Sequence, residues 1–174
     1  MAAAVLVFVT VSYRKRAAGF DFAAYSRRVR EGPCFVCAFL AGHHDYRHHA
    51  IHEDEDTVAF LTRFPTLLGY SLVAPKKHVE NWHEDLSEDE FLSFQRTVRT
   101  VARAIAVTLP TERMYSMSLG SKQGNAHLHW HLAPLPPGIP YEEQQFHALM
   151  AEKGVLPVSH ATQADLAARI RSNL

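Results

Sequence analysis

The chain has 174 residues, 47% of them hydrophobic, which is enough to bury one substantial core. Its 18 basic and 18 acidic residues cancel, so the composition does not indicate a protein that binds nucleic acid polymers or acidic surfaces. The two cysteines, Cys34 and Cys37, are too few and too close together for a secreted disulfide framework. We therefore expect one folded domain in a reducing compartment, the cytoplasm.

The amino-terminal stretch does not indicate a membrane anchor. Ala2 to Val11 is an apolar run of about ten residues, which is too short to span a bilayer. The basic residues 14–16 follow this run, whereas a secretory signal has the opposite order. We expect residues 1–20 to form an appendage without an assigned role.

The segments before the first predicted strand carry the cysteine pair and several histidines. Apolar residues from Phe22 to Arg30 have helical spacing, and Gly32-Pro33 ends the predicted helix. Cys34 and Cys37 are therefore expected in a turn. The histidines of segment 42–52 lack a regular spacing, which indicates a solvated loop.

Two strands and one long helix are predicted next. The β-prone runs Thr57–Leu61 and Tyr70–Ala74 are separated by a connection that contains proline and glycine, so we expect adjacent antiparallel strands. Ser87 and Glu90 form a capping box at the start of a helix that ends before Pro110. Its apolar residues recur at three- and four-residue steps: Phe91, Phe94, Val98, Val101, Ala102 and Ile105.

The remaining elements complete an α+β domain. A strand over Arg113–Leu119, a polar turn and a second strand predict a hairpin. After several prolines, Tyr141–Lys153 is interpreted as helical, and Thr162 is predicted to begin a last amphipathic helix. We expect an antiparallel sheet with one long helix and additional C-terminal helices. The predicted division is a catalytic domain at residues 21–140 and a helical extension at 141–174 that packs on it.

The second strand of the hairpin is the most informative segment. Residues 125–134 place His127, His129 and His131 at alternate positions. In a strand these side chains would lie on one face about 7 Å apart. The opposite face would carry the apolar residues Leu128, Trp130 and Leu132. Imidazole serves as nucleophile, proton carrier or metal ligand near neutral pH, so this face is predicted to carry the chemistry.

The alternation resembles the signature of the histidine triad (HIT) family of nucleotide hydrolases and transferases. Further motifs of that family occur in the same order: Cys-x-x-Cys at residues 34–37, Phe-Leu at 60–61 before a proline turn, Gly-x-x-Leu-Val-x-Pro-Lys-x-His at 69–78, and the capped helix. The resemblance covers roughly residues 34–134. It implies a HIT-like fold, and it makes a homodimer the expected assembly.

The resemblance also implies a mechanism. His129 matches the nucleophile that attacks the α-phosphate of a nucleotide and forms a nucleotidyl-histidine intermediate, with the carbonyl of His127 holding the proton of the other ring nitrogen. His131 matches the residue that contacts the phosphate and helps to protonate the leaving group. Expected substrates are nucleoside phosphoramidates, dinucleoside polyphosphates or related nucleotide conjugates, and no catalytic cofactor is required.

The predicted binding residues match the family motifs less closely than the predicted catalytic residues do. Gln123, Gly124 and Asn125 are predicted to bind the phosphate together with His131, because the turn before the triad offers main-chain and side-chain donors. The predicted nucleoside pocket comprises Phe39, Phe60 and Thr62. Two departures from the family are visible: Thr62 stands where Asp or Asn commonly binds the ribose, and Tyr70 stands where an additional histidine is frequent.

A second predicted site is structural zinc. The Cys-x-x-Cys pair supplies two thiolates, and a closed zinc site needs about two more nitrogen or sulfur ligands. The resemblance implies that Cys34 and Cys37 are completed by His78 and His127. In that arrangement His127 anchors the catalytic strand and does not take part in proton transfer.

Two other functions remain open at the sequence level. Three histidines on one strand face could be ligands of one hydrolytic metal, although this leaves the cysteines and His78 without a purpose. The chain could also be a catalytically silent nucleotide-binding or interaction module that keeps the fold and the zinc. The retention of His129 favours the enzyme.

Overall fold

A computed structural model describes residues 20–174 and contains one five-stranded antiparallel sheet, with strand order β1-β2-β3-β5-β4. The strands are β1 (Ala50–Glu53), β2 (Thr57–Leu61), β3 (Ser71–Pro75), β4 (Arg113–Ser118) and β5 (Trp130–Leu135). The helices are α1 (Phe22–Glu31), α2 (Phe35–Leu40), α3 (Glu88–Thr108), α4 (Phe146–Leu149) and α5 (His160–Arg171). The predicted α+β class is therefore confirmed. The expected appendage lies, except for Phe20, outside the described residues.

The two faces of the sheet are covered by different elements because strand residues alternate in direction. On one face, Ala59 and Leu61 of β2 pack into the main core with α3 and α5. On the other face, Val58 and Phe60 pack with Val36 of α2. None of the helices in the described chain is long and apolar enough to cross a membrane.

The long helix α3 begins and ends as its sequence predicts. The Ser87 side chain accepts a hydrogen bond from the Glu90 backbone N–H, and the Glu90 carboxylate accepts one from the Ser87 N–H. This reciprocal capping box satisfies two of the free donors at the start of the helix. The buried face of α3 then packs across the sheet, so it supports β5 from behind.

Two predictions before the long helix are wrong. The segment expected as a solvated loop contains β1, which forms because the Asp54 carboxylate accepts hydrogen bonds from Asp56 and Thr57 and closes the turn into β2. The strand has only four residues, and its register with β2 shifts between Ala50 and His52, so its sequence carries little alternation. The cysteines do not lie in a connecting turn. They lie at the start of helix α2, where Cys34 is the N-cap residue and Cys37 belongs to the helix.

The C-terminal region also departs from its predicted pattern. Residues 141–153 form three short helical pieces, because Gln145 adopts a left-handed φ of 55° that interrupts a continuous helix. The last helix begins at His160 rather than Thr162, with Ser159 as its cap. Helix α5 packs on α3 and β1, and the domain boundary near residue 140 stays a prediction.

Candidate functional site

The predicted catalytic strand is shorter than expected, and its early part leaves the sheet. β5 begins at Trp130, where its pairing with β3 and β4 also begins. Before it, Asn125 has a left-handed φ of 54°, and the N–H of Leu128 donates to the carbonyl of Val79 instead of to a strand. His127, His129 and His131 therefore do not lie on one flat strand face.

His127 belongs to a potential metal centre together with His78, Cys34 and Cys37. Its Nδ1 lies 3.2 Å from His78 Nδ1, 3.4 Å from Cys34 Sγ and 3.6 Å from Cys37 Sγ. Cys37 Sγ lies 3.3 Å from His78 Nδ1. Ligands of one tetrahedral zinc ion lie roughly 3.3 to 3.8 Å apart, given the usual Zn–N and Zn–S bond lengths. The four residues thus fit a bound metal ion.

A hydrogen bond from the second ring nitrogen fixes the orientation of His127. Its Nε2–H donates to the carbonyl of Pro75 at 2.8 Å, so Nδ1 keeps a free lone pair directed at the cysteines. Although burial raises the pKa of the Cys34 thiol, its contacts with His127 and Cys37 lower it to about 6. Burial and Cys34 raise the pKa of Cys37 to about 11. The donor set therefore favours a cation, which stabilises both thiolates.

A cavity of about 450 Å³ adjoins this centre, which is a usual size for a small-molecule site. It contains the predicted phosphate-binding and catalytic residues, and Thr62 from the predicted nucleoside pocket: Thr62, Gln123, Gly124, Asn125, His129 and His131. Phe39 and Phe60 do not line it. Phe60 is fully buried against Phe39, with ring centroids 4.8 Å apart, on the core side of Phe35.

His129 has the geometry of a nucleophile. Its Nδ1–H donates to the carbonyl of His127 at 2.6 Å, as the resemblance implied, so the lone pair lies on Nε2. The ring is buried, stands edge-on to Phe35 at 5.2 Å, and burial lowers its pKa. Ser118 donates to the His129 carbonyl at 3.1 Å and fixes the backbone. A neutral, oriented imidazole is the form that can attack phosphorus.

His131 lies beside it, with ring centroids 4.7 Å apart. Burial, with a contribution from His129, lowers the pKa of His131 to about 3, so the ring is neutral. Its Nδ1 lies 3.0 Å from the hydroxyl of Tyr70. Its Nε2 is buried and has no hydrogen-bond partner among the described residues. Tyr70, which occupies the position of a frequent family histidine, is therefore a neighbour of the predicted catalytic pair, His129 and His131.

The turn before the triad has fewer free main-chain donors than expected. The N–H groups of Gln123 and Gly124 are used by the side chain and carbonyl of Ser121. Within residues 20–174, the N–H groups of Asn125 and Ala126 and the side-chain amides of Gln123 and Asn125 make no hydrogen bond. These groups line the cavity and can donate to phosphate oxygens.

Two contributors to the cavity were missed at the sequence level. Helix α1 supplies Tyr25, Arg28 and Val29, and a Cβ on Gly124 would lie 2.6 Å from Val29 Cγ1, so glycine is required there. His48, from the segment expected as a loop, also lines the cavity and donates through Nδ1–H to the carbonyl of Leu61. The helical spacing of α1 predicted its secondary structure, but no motif predicted where it packs.

The three triad histidines do not form one metal site. The described residues contain two clusters of at least three potential metal ligands, and neither includes His129 or His131. His127 is directed at the cysteines, away from the other two rings. This geometry argues against a three-histidine hydrolytic metal.

Comparisons with known proteins agree with the site. A model of the HIT domain matches residues 44–137, more than half of the chain. A 16.1 kDa HIT-like protein of Mycoplasma pneumoniae is 31% identical over 108 residues, which cover 59% of this chain and 70% of that protein. The protein Hit of Bacillus subtilis is 30% identical over 104 residues, with 59% and 70% covered.

Solved structures show the same fold. A hypothetical histidine triad nucleotide-binding protein of Sulfolobus tokodaii superposes with a TM-score of 0.64 at 26% identity, covering 80% of this chain and 91% of that one. A zinc-bound histidine triad family protein of Mycobacterium smegmatis superposes with a TM-score of 0.63 at 22% identity, covering 81% and 92%. With the domain match and the arrangement of the triad, these findings establish that the chain belongs to the HIT domain family.

Proposed function

We propose that this protein is a nucleotidyl hydrolase or transferase that acts at the α-phosphate of a nucleoside phosphoramidate, dinucleoside polyphosphate or related nucleotide conjugate. The observation that carries the proposal is the hydrogen bond from His129 Nδ1–H to the His127 carbonyl, because it leaves the Nε2 lone pair free. This nitrogen belongs to a ring that lines the cavity. A histidine held in this way can form a covalent intermediate.

In the first step, His129 Nε2 forms a bond to the α-phosphorus, and the bond from phosphorus to the leaving group breaks. Nε2–H of His131, whose ring packs beside His129, donates a hydrogen bond to the leaving-group atom, which takes its proton from water as it departs. The side-chain amides of Gln123 and Asn125 donate to the phosphate oxygens as negative charge develops. Water or another acceptor then attacks phosphorus and releases its proton to solvent, and the bond from phosphorus to His129 Nε2 breaks, which restores neutral His129.

The metal centre has a structural role in this proposal. Cys34, Cys37, His78 and His127 would hold one zinc ion, which joins the start of α2 and the segment after β3 to the residues that precede β5. Bound zinc supplies a rigid cross-link and no chemical step. The position of the His127 carbonyl, and through it the orientation of His129, then depends on this cross-link.

The test is mass spectrometry of intact protein after brief mixing with a panel of nucleoside phosphoramidates and dinucleoside polyphosphates. We expect a mass increase equal to one nucleotidyl group, which disappears in His129→Ala. A control variant, His44→Ala, removes an exposed histidine outside the cavity and should keep the adduct. Turnover by a folded His129→Ala variant at the unmutated rate would contradict the mechanism.

We further propose a homodimer. Among the described strands, β4 pairs only with β5, so its other edge has free backbone groups that a second copy could use. Light scattering should report twice the 19.6 kDa mass of one chain, and a monomer at micromolar concentration would contradict this proposal.

A further inference from the structure

Two arginines from distant segments converge at one wall of the cavity. Arg28 of α1 and Arg63, which follows β2, both donate to the carbonyl oxygen of Asp45, with the Arg63 Nη1 contact at 2.9 Å. The Arg28 guanidinium also lies over the ring of Tyr46, 4.2 Å from its centroid. All four residues line the cavity that contains His129 and His131, so the two cations face the proposed substrate.

The charges of these arginines are not neutralised within the described chain. No carboxylate of residues 20–174 forms an ion pair with either guanidinium, and the Asp45 carboxylate lies 3.3 Å from His44 Nε2 instead. A carbonyl oxygen satisfies one donor of each group but carries no net charge. Each guanidinium has five donors, so several remain for a ligand. Two adjacent like charges also repel, and an anion between them would relieve this repulsion.

The cavity as a whole carries an excess of positive charge. Its charged lining residues other than histidine and cysteine are Arg28, Arg30, Arg63, Lys122 and Asp45. Four are cations and one is an anion. These charges also act on His48, which lines the cavity. Burial is the main cause that lowers the pKa of His48 to about 4, and the charges of Arg63 and Arg28 lower this pKa further. A single reacting phosphate does not account for this excess.

We propose that Arg28 and Arg63 form a second anion subsite, which binds a phosphate group other than the one attacked by His129. This inference rests on the proposed function and specifies its substrate class as nucleotides that carry at least two phosphate groups. The additional group is either a phosphate ester on the sugar or a further phosphate in a polyphosphate chain. Both present the oxygen atoms that guanidinium donors bind in pairs.

Binding of unreactive ligands tests the subsite without requiring turnover. Isothermal titration calorimetry on the full chain would compare a nucleoside 5′-monophosphate with the matching 3′,5′-bisphosphate and the non-cleavable α,β-methylene 5′-diphosphate, for adenine and guanine. We expect one of the doubly phosphorylated ligands to bind about tenfold more tightly than the monophosphate, and this advantage to shrink as salt is raised. Preference for the 3′,5′-bisphosphate assigns the anion to the sugar, and preference for the diphosphate assigns it to the polyphosphate chain.

Matched variants identify the residues. Arg63→Gln, on an exposed side chain, should remove most of the tenfold advantage, with a smaller loss of affinity for the monophosphate. Arg28→Lys keeps the charge and some of the packing on Tyr46 but loses the paired donors, so it should weaken the advantage partially. Arg27→Gln removes the same charge from an exposed residue of α1 outside the cavity and should have no effect.

The outcomes separate this subsite from the proposed function. Equal affinity for singly and doubly phosphorylated ligands, or an advantage that survives Arg63→Gln, would overturn the subsite while the nucleotidyl adduct on His129 could still form. Binding of no nucleotide at all would overturn both proposals. An advantage that is lost equally in Arg27→Gln would show general charge attraction and would also overturn the subsite.

Discussion

The hydroxyl of Tyr70 lies 3.0 Å from Nδ1 of His131, and Nε2 of the same ring is buried without a partner among the described residues. Burial raises the pKa of Tyr70, so its phenol stays protonated and can donate to Nδ1. A neutral imidazole that accepts at Nδ1 carries its proton on Nε2. Tyr70 therefore orients His131 as a neutral ring with Nε2–H available in the cavity, where the proposed leaving group would lie.

Tyr70→Phe should slow turnover most for substrates whose leaving group needs a proton. Without the phenol, the tautomer with the proton on Nδ1 becomes populated, and it cannot donate from Nε2. Loss of one hydrogen bond of about 1 kcal/mol predicts a decrease of roughly five- to tenfold in kcat. The measurement compares kcat for an alkylamine and a nitrophenol leaving group, with nitrogen NMR of the His131 ring as a direct readout of its tautomer.

Tyr141→Phe is the control for this change, because Tyr141 is 76% exposed and does not line the cavity. It should leave both substrates unaffected. An equal decrease for both leaving groups in Tyr70→Phe, together with an unchanged NMR tautomer, would assign Tyr70 a packing role only.

Zinc removal should destabilise the chain. We expect one zinc per chain by elemental analysis of protein prepared without chelator, and loss of the metal in Cys34→Ser. The site joins segments that are 93 residues apart in the contact between Cys34 and His127, so its loss should lower the free energy of unfolding by several kcal/mol. His44→Gln, in the exposed His43-His44-Asp45 cluster, should keep the metal and the stability. Protein without zinc at full stability would contradict the prediction.

Ribose recognition should be weak at Thr62. The residue lines the cavity, and its hydroxyl has no hydrogen-bond partner within residues 20–174, but it offers fewer acceptor sites than a carboxylate. An imperfectly paired sugar hydroxyl costs on the order of 1 kcal/mol, so ribose should be preferred over 2′-deoxyribose by no more than about tenfold in kcat/KM. Thr62→Asp should increase this preference. A strong preference in the unmutated protein would show that other residues bind the sugar.

Stability should fall on acidification partly because of His48. Its pKa is about 4 in the folded chain, mainly through burial, against 6.5 for an ordinary histidine. The unfolded chain binds the proton first as pH falls, so the stabilisation from neutral His48 is complete above pH 6.5 and is lost between pH 6.5 and about 4. The expected loss is about 3 kcal/mol.

The measurement is urea unfolding between pH 4 and 7.5 for His48→Gln and the unmutated chain. The variant should show a shallower decrease in this window, whatever its absolute stability. His44→Gln, which replaces an exposed histidine, should follow the unmutated curve. Parallel curves for His48→Gln and the unmutated chain would remove His48 as a cause.

Local sequence determined the elements whose signals lie within one or two turns of chain. The capping box at Ser87 and Glu90, the strand over Thr57–Leu61 and the hairpin of β4 and β5 all follow from short-range hydrogen bonds and side-chain periodicity. The family resemblance, confirmed by the domain match, predicted the cluster at Cys34 and the bond from His129 to the His127 carbonyl.

Only the tertiary structure decided in which direction each of the three triad histidines points. β3 and β4 provide partners only from Trp130 onward, so His127 turns to the cysteines while His129 and His131 face the cavity. The same holds for Phe60, which the sheet buries outside the cavity lining, and for Arg28, which α1 brings to the carbonyl of Asp45. These contacts join residues far apart in sequence, and their free energy depends on packing that no local pattern encodes.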